Sequence, residues 1–203
     1  MALNINGTTG ISGLDGSVSA PPIVGTDSNT GISFGSDSIK LSTGGVERLT
    51  ISNTGCAGAG KVLQVVSNFT AAAGGGFATS STSYVTDAAL PTASITPTLA
   101  TSKVMIIAYI GMQHDNSGQV ENTIYRIISG GATTDLSGGN TYGLVFKGGT
   151  NPEWGYAGVQ ITDSPNTTSQ VTYTWYSRSE GGQTVTPVHT ASTIGIQLLE
   201  IGA

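Results

Sequence analysis

Apolar residues change their spacing along this chain near Gly60. Before it they come in pairs two residues apart, Ile32 with Phe34, Ile39 with Leu41 and Leu49 with Ile51. Each pair sends two side chains to one face of a short strand. Three such strands bury little, so residues 1–60 are expected to form no stable core of their own. The segment is expected to wrap with identical chains or to dock on a partner. Beyond Gly60 the apolar runs lengthen. They predict strands near Val62–Val66, Tyr84–Asp87, Ala93–Thr96, Lys103–Met112, Gln119–Ile128 and Tyr142–Phe146, then Tyr156–Thr162, Gln170–Tyr176, Thr184–Val188 and Thr193–Ile201. Turn clusters such as Asn116-Ser117-Gly118, Gly138-Gly139-Asn140 and Asp163-Ser164-Pro165 separate them. Many short strands with no helical period predict an all-β chain: a short N-terminal β segment over 1–60, then a β-sandwich or jelly-roll domain over 61–203.

One strand departs from simple alternation. In Lys103–Met112, Val104, Ile106, Ala108, Ile110 and Met112 share one face, while Met105, Ile107 and Tyr109 share the other. A sheet wetted on one side alternates apolar with polar, so both faces of this strand are expected to be covered. The segment Ile194–Ile201 behaves alike. One face meets the second sheet; the other is expected to meet a neighbouring subunit, or else a loop of the same chain. Gln170–Tyr176 alternates cleanly, with Val171, Tyr173 and Trp175 opposite Thr172, Thr174 and Tyr176.

Composition narrows the function. Only 9% of residues are charged, against about 25% in an ordinary soluble domain. The 30 glycines together with serine and threonine outnumber the apolar residues. Net charge is −5, with the seven Lys and Arg scattered singly, so no basic patch exists for nucleic acid. Cys56 is the single cysteine, which excludes an intrachain disulfide and reads as a small filler. The start Met1-Ala2-Leu3-Asn4 lacks the regions of a signal peptide, and no apolar run approaches a membrane span. Synthesis in a cytoplasm without membrane insertion is the expectation, and the Asn-x-Thr triplets at Asn6, Asn68 and Asn166 would then carry no glycan.

Catalytic chemistry is weakly suggested. Gly55-Cys56-Ala57-Gly58-Ala59-Gly60-Lys61 fits the start of a phosphate-binding loop. However, Val62 stands where Ser or Thr would hold magnesium, and a strand follows where a helix is required. His114 beside Asp115 offers metal-ligand atoms, but no second pair marks a site. No Gly-x-Ser-x-Gly elbow supports a hydrolase. The sequence therefore predicts no enzyme, no metal and no cofactor. Recognition is the better fit, because aromatic and polar side chains on loops serve carbohydrate and protein binding. The candidate contact residues are His114, Asp115, Asn140, Trp154, Arg178 and Glu180. Trp154 reads as part of a turn, where plugging the end of its own sandwich or a subunit interface is slightly favoured over ligand contact. Arg178 and Glu180 read as a solvated hairpin end.

Gly13-Leu14-Asp15-Gly16-Ser17, Asp27-Ser28-Asn29-Thr30-Gly31-Ile32-Ser33-Phe34 and Ser42-Thr43-Gly44-Gly45-Val46-Glu47-Arg48-Leu49 resemble an N-terminal segment of tailed-phage structural proteins, familiar from marine phages and cyanophages as tail fibres. Gly60–Val66, Ser94–Pro97, Asp163–Pro165 and Ala191–Ala203 resemble a second module of the same proteins. The resemblance implies a homotrimer with an interwoven β N-terminal part and a C-terminal jelly-roll head. It also implies other virion proteins as partners, a tail adaptor or the capsid, and a host surface glycan or protein as a target. Ile32, Phe34, Ile39, Leu41, Leu49, Ile51, Met105, Ile107 and Tyr109 are then the candidate trimer or virion interface. Long fibres carry an adaptor and a shaft for which this chain has no room. A short tail fibre and a capsid decoration or cement protein therefore both stand, with a glycan depolymerase as a distant third.

Overall fold

The computed structural model describes residues 4–6, 10–12, 15–53, 55–57, 60–71, 76–114, 118–148, 153–189 and 192–202. Among them there is no helix. The first strands are β1 (Asn4–Asn6), β2 (Gly10–Ser12), β3 (Ile23–Val24), β4 (Gly31–Gly35), β5 (Ser38–Thr43), β6 (Val46–Ser52) and β7 (Gly55–Ala57). There follow β8 (Val62–Ala71), β9 (Phe77–Thr79), β10 (Thr92–Ile95), β11 (Lys103–His114) and β12 (Val120–Ile128). The last are β13 (Thr133–Asp135), β14 (Val145–Lys147), β15 (Glu153–Asp163), β16 (Val171–Ser179), β17 (Val185–Val188) and β18 (Thr193–Ile201). The chain divides into two compact units, one reaching Leu63 and including Gly202, the other Gln64–Ile201, with the boundary inside β8.

The first unit holds the β1–β2 hairpin and an antiparallel meander in the order β3-β4-β5-β6-β7. Thr43 pairs with Val46 across Gly44 and Gly45, whose φ values are +58° and +74°. Two left-handed residues in a two-residue loop make the turn whose twist matches the flanking strands, and glycine enters it without penalty. The register that this turn starts, Thr43 with Val46 and Ser42 with Glu47, shifts by one residue between Ser42 and Leu41, so that Leu41 pairs with Leu49 and Arg48 is the extra residue of a bulge. Strands β4, β5 and β6 each find both hydrogen-bonding neighbours within the chain.

The second unit is a jelly roll. One sheet runs β8-β18-β11 with β15 on the far side of β11, extended at one end by β17 and β9; the other runs β10-β16-β12-β13, with β14 also on β12. Leaving aside the short β9 and β17, which extend the first sheet, the chain visits β8, β10, β11, β12, β13 with β14, β15, β16 and β18, passing from one sheet to the other at every step except the β12 to β14 stretch. Paired Greek-key crossings of this kind close a two-sheet sandwich. Among the described residues every buried apolar side chain lies in this unit, between Leu90 and Leu198. Val104, Ile106, Ile110, Ile196 and Leu198 from one sheet meet Val120, Ile124, Val171, Tyr173 and Trp175 from the other.

Polar groups are built into that core. Asn122 Oδ1 accepts from the Trp175 indole N–H at 3.0 Å and from Ser177 Oγ at 2.7 Å. Fully buried Glu200 accepts from Gln64 Nε2 at 2.5 Å, and from the Thr98 N–H at 2.7 Å and hydroxyl at 2.9 Å. Burial alone would raise its pKa, but these hydrogen bonds outweigh burial and hold the carboxyl below its ordinary 4.5. A folded pKa below the unfolded one gives stability that is complete above pH 4.5 and is lost as pH falls through the folded value. Glu200→Gln turns an amide N–H₂ toward donors. It is expected to cost about 1–3 kcal/mol at neutral pH and to flatten the acid limb of stability. Melting temperature followed across the acid range checks this; an unchanged acid limb would remove Glu200 as its source.

The predicted strands are recovered with shifted ends, apart from two. Tyr84–Asp87 forms only an isolated bridge, Val85 with Ser177, because Asp87 turns the chain by accepting from the Ala89 and Leu90 N–H groups. Tyr142–Phe146 becomes Val145–Lys147, since Asn140 and Gly143 hold a turn ahead of it. Phe77–Thr79 and Thr133–Asp135 are strands that the apolar pattern does not show.

Candidate functional site

The register of the first unit puts the predicted interface residues on one surface. Ile23 pairs with Ile32, Ile32 with Leu41, and Leu41 with Leu49. Phe34 pairs with Ile39, Ile39 with Ile51, and Ile51 with Cys56. Directly opposed residues of an antiparallel pair share a face, so Ile32, Phe34, Ile39, Leu41, Leu49 and Ile51 form a continuous apolar surface. None of them is buried. Ile39 is 39% exposed, Leu41 37% and Ile51 39%. The reverse face is polar, with Lys40 Nζ 3.1 Å from Glu47 Oε2 and Thr50 donating to Glu47. Ser33 and Ser42, on that polar face, are the buried ones. This sheet is inside out with respect to its own chain.

In the head, Met105, Ile107 and Tyr109 are half-buried on the outer side of β11. The Phe69 ring of β8 lies 5.9 Å from Tyr109, crossing Gly195, where a Cβ would sit 1.9 Å from the Phe69 ring. The chain thus covers part of this face itself, while Phe69 and Val65 stay about half exposed.

Two of the candidate contact residues meet in one cavity. Asn140 and Arg178 line a hollow of about 410 Å³ with Tyr84, Asp135, Gly139 and Thr141. Arg178 is not at a solvated hairpin end, as its flanking glycines suggest. It lies within β16, where Nε donates to Oε2 of fully buried Glu121 at 2.5 Å and the guanidinium sits 4.6 Å from the Tyr84 ring centroid. Burial works against its charge, but Glu121 outweighs burial and raises its pKa. Burial also pushes the Tyr84 phenol up to about 12, with Arg178 pulling the other way. At neutral pH Tyr84 is therefore a hydrogen-bond donor and not a base. Asp135 is occupied by Thr123 and Ser137. The cavity presents an ion-paired guanidinium, a carboxylate held by hydroxyl groups, and the amide and hydroxyl groups of Asn140 and Thr141.

Trp154 belongs to no turn. It is the second residue of β15, paired with Gln113, with its side chain 61% exposed. The ring stands 3.9 Å from that of His189, edge to face. Glu180 is exposed just beyond β16. His114 ends β11, paired with Val185 and Glu153; Asp115 lies outside the described residues. Sequence reasoning missed Tyr84, Glu121, Asp135, Tyr156 and His189. Of these only Tyr156, two residues after Trp154, carried a signal, the period of a strand.

No family model matches the chain, and no curated protein matches it. Among solved structures it is similar to a chain from the structure of infectious bursal disease virus, Gx strain, at 14% identity and a TM-score of 0.34, covering 74% of this chain and 45% of that one. It is likewise similar to the VP2 subviral particle of the same virus, at 12% identity and a TM-score of 0.34, covering 81% of this chain and 51% of that one. The chain spans about half the length of the structures it matches. Both likenesses are weak, and the strand order described above stands without them.

Proposed function

We propose that this chain is a non-enzymatic structural protein of a phage virion, a short trimeric tail fibre whose jelly-roll head carries the surfaces for host contact. The observation behind the proposal is the inside-out sheet of the first unit. Fully burying a Leu or Ile is worth about 1.5–3 kcal/mol relative to leaving it in water. A contiguous face of such residues on a soluble chain marks a contact with another chain. Strands β4, β5 and β6, which carry the apolar residues, pair on both sides within the chain, so their copies meet face to face. The partly covered Met105, Ile107 and Tyr109 supply a second contact between heads. Three linked heads would turn modest single-site affinity into avidity. The resemblance of the Asp27–Phe34 and Ser42–Leu49 motifs to phage virion proteins points the same way.

A second reading, a capsid decoration or cement protein, draws on the same exposed apolar face of the first unit. The apolar face would then seat on the shell. Cryo-electron microscopy of intact particles tests both. Density on the tail supports the fibre, density repeated over the capsid lattice supports the decoration protein, and a particle lacking the chain overturns both.

A further inference from the structure

We infer that the recess beside Trp154 is a saccharide subsite that takes the apolar face of one neutral pyranose ring. Trp154 and Tyr156 stand two apart on one face of β15, 61% and 76% exposed with the whole chain in place. Opposite Tyr156 is Gly111. A Cβ there would lie 2.4 Å from Ser192 Cβ and 3.2 Å from Tyr156 Cε1, so the floor exists only because that position has no side chain. The hollow measures about 200 Å³ and is walled by Trp154, Tyr156 and His189.

Three properties select the ligand. Aromatic faces carry the negative lobe of a quadrupole, and the axial C–H groups of a pyranose are the weakly positive, apolar complement. The Trp154 indole N–H and the Tyr156 hydroxyl have no hydrogen-bond partner among the described residues, so they can meet ring hydroxyls that an aliphatic ligand lacks. Among the described residues no Asp, Glu, Lys or Arg side chain lines the hollow, so its lining suits a neutral ring better than an anionic sugar or a phosphate. The His189 contact holds the indole in place, so little side-chain freedom is lost on binding. This inference does not depend on where the protein sits on a particle.

The two tryptophans give a direct readout. Trp175 is fully buried, so emission that acrylamide quenches in the full chain belongs to Trp154. Methyl glucoside, galactoside, mannoside and N-acetylglucosamine, each titrated against the assembled protein, are the probes, with sialic acid as the anionic control. At least one neutral glycoside is expected to shield Trp154 from acrylamide in a saturable way, and sialic acid is not. Trp154→Ala should weaken binding at least tenfold, read by saturation-transfer NMR on the same sugar, with Trp154→Phe keeping part of it. Equal shielding by every additive, or none by any glycoside, overturns the inference. So does a Trp154 that acrylamide cannot reach in the assembled protein, which would make the recess part of an interface between chains.

Discussion

Leu41→Asp is expected to convert the assembled protein into single chains. Leu41 sits at the middle of the apolar face, paired with Ile32 on one side and Leu49 on the other. If that face is closed by its equivalents in neighbouring copies, a carboxylate placed there has no cation within reach. Burying it unpaired would cost several kcal/mol per chain, repeated in every copy. Light scattering after size exclusion should show the mass falling from three chains to one. The jelly roll has its own core and should keep its cooperative melt. Lys40→Asp, one residue away on the polar face, is the control; it replaces the exposed Lys40–Glu47 pair, worth about 1 kcal/mol or less, by two solvent-exposed carboxylates, and should leave the mass unchanged. A wild-type protein that is already monomeric at micromolar concentration would sink the homotrimer and leave the face for a different virion protein. An assembly that survives Leu41→Asp would place the contact elsewhere.

The same face shows how far the sequence could be read. The pairs Ile32 with Phe34 and Ile39 with Leu41 already said that each strand has one apolar side. That all these sides coincide depends on register, and Gly44-Gly45 does not set it alone. The pairing shifts by one residue between Ser42 and Leu41, which brings Leu49 and Ile51 to the apolar face, and no apolar spacing announces that shift. The head strands were legible where apolar residues recur at a period of two, as in Thr193–Ile201 with Ile194, Ile196 and Leu198, whose ends match the sequence expectation. Legibility failed where the deciding partner is remote. Phe77–Thr79 is a strand only because Val185 and Val188 pair with it. Arg178 looked solvated because its partner Glu121 lies 57 residues earlier. Trp154 looked like a turn because Gly149 to Pro152 precede it, although the pairing of β15 with β11 starts at Glu153. Non-local pairings of this kind are what a jelly roll consists of, and no window along the chain contains both halves of one.

The largest loss of stability within the head is expected from Asp163→Ala. Asp163 closes β15 and points between the sheets, where Arg126 Nη1 donates to Oδ1 at 2.8 Å and Oδ2 at 3.1 Å, and the Tyr173 hydroxyl donates to Oδ2 at 2.8 Å. The Arg126 side chain is 18% exposed and that of Asp163 10%. Burial, reinforced by the Asp163 charge and hydrogen bond, pushes the Tyr173 phenol far above its ordinary value, so it stays a donor. Removing the carboxylate leaves a largely buried guanidinium without its counter-charge, held among the described residues only by Thr134 Oγ1 at 3.2 Å and the Ser164 carbonyl at 3.4 Å. It also leaves the Tyr173 hydroxyl without its acceptor, and the two losses together cost about 3–5 kcal/mol. At roughly 2–4 °C per kcal/mol for a domain of this size, the melting temperature should fall by on the order of 10 °C. The sign of the pair's net contribution is a separate question, because two desolvated charges can cost as much as their attraction returns. Asp163→Ala combined with Arg126→Met answers it. If the cost comes from the stranded guanidinium, the double variant should recover most of the lost melting temperature. If it melts as low as Asp163→Ala alone, Asp163 acts through Tyr173 and the packing at this end of the sandwich, and the ion pair is not what holds the two sheets together there.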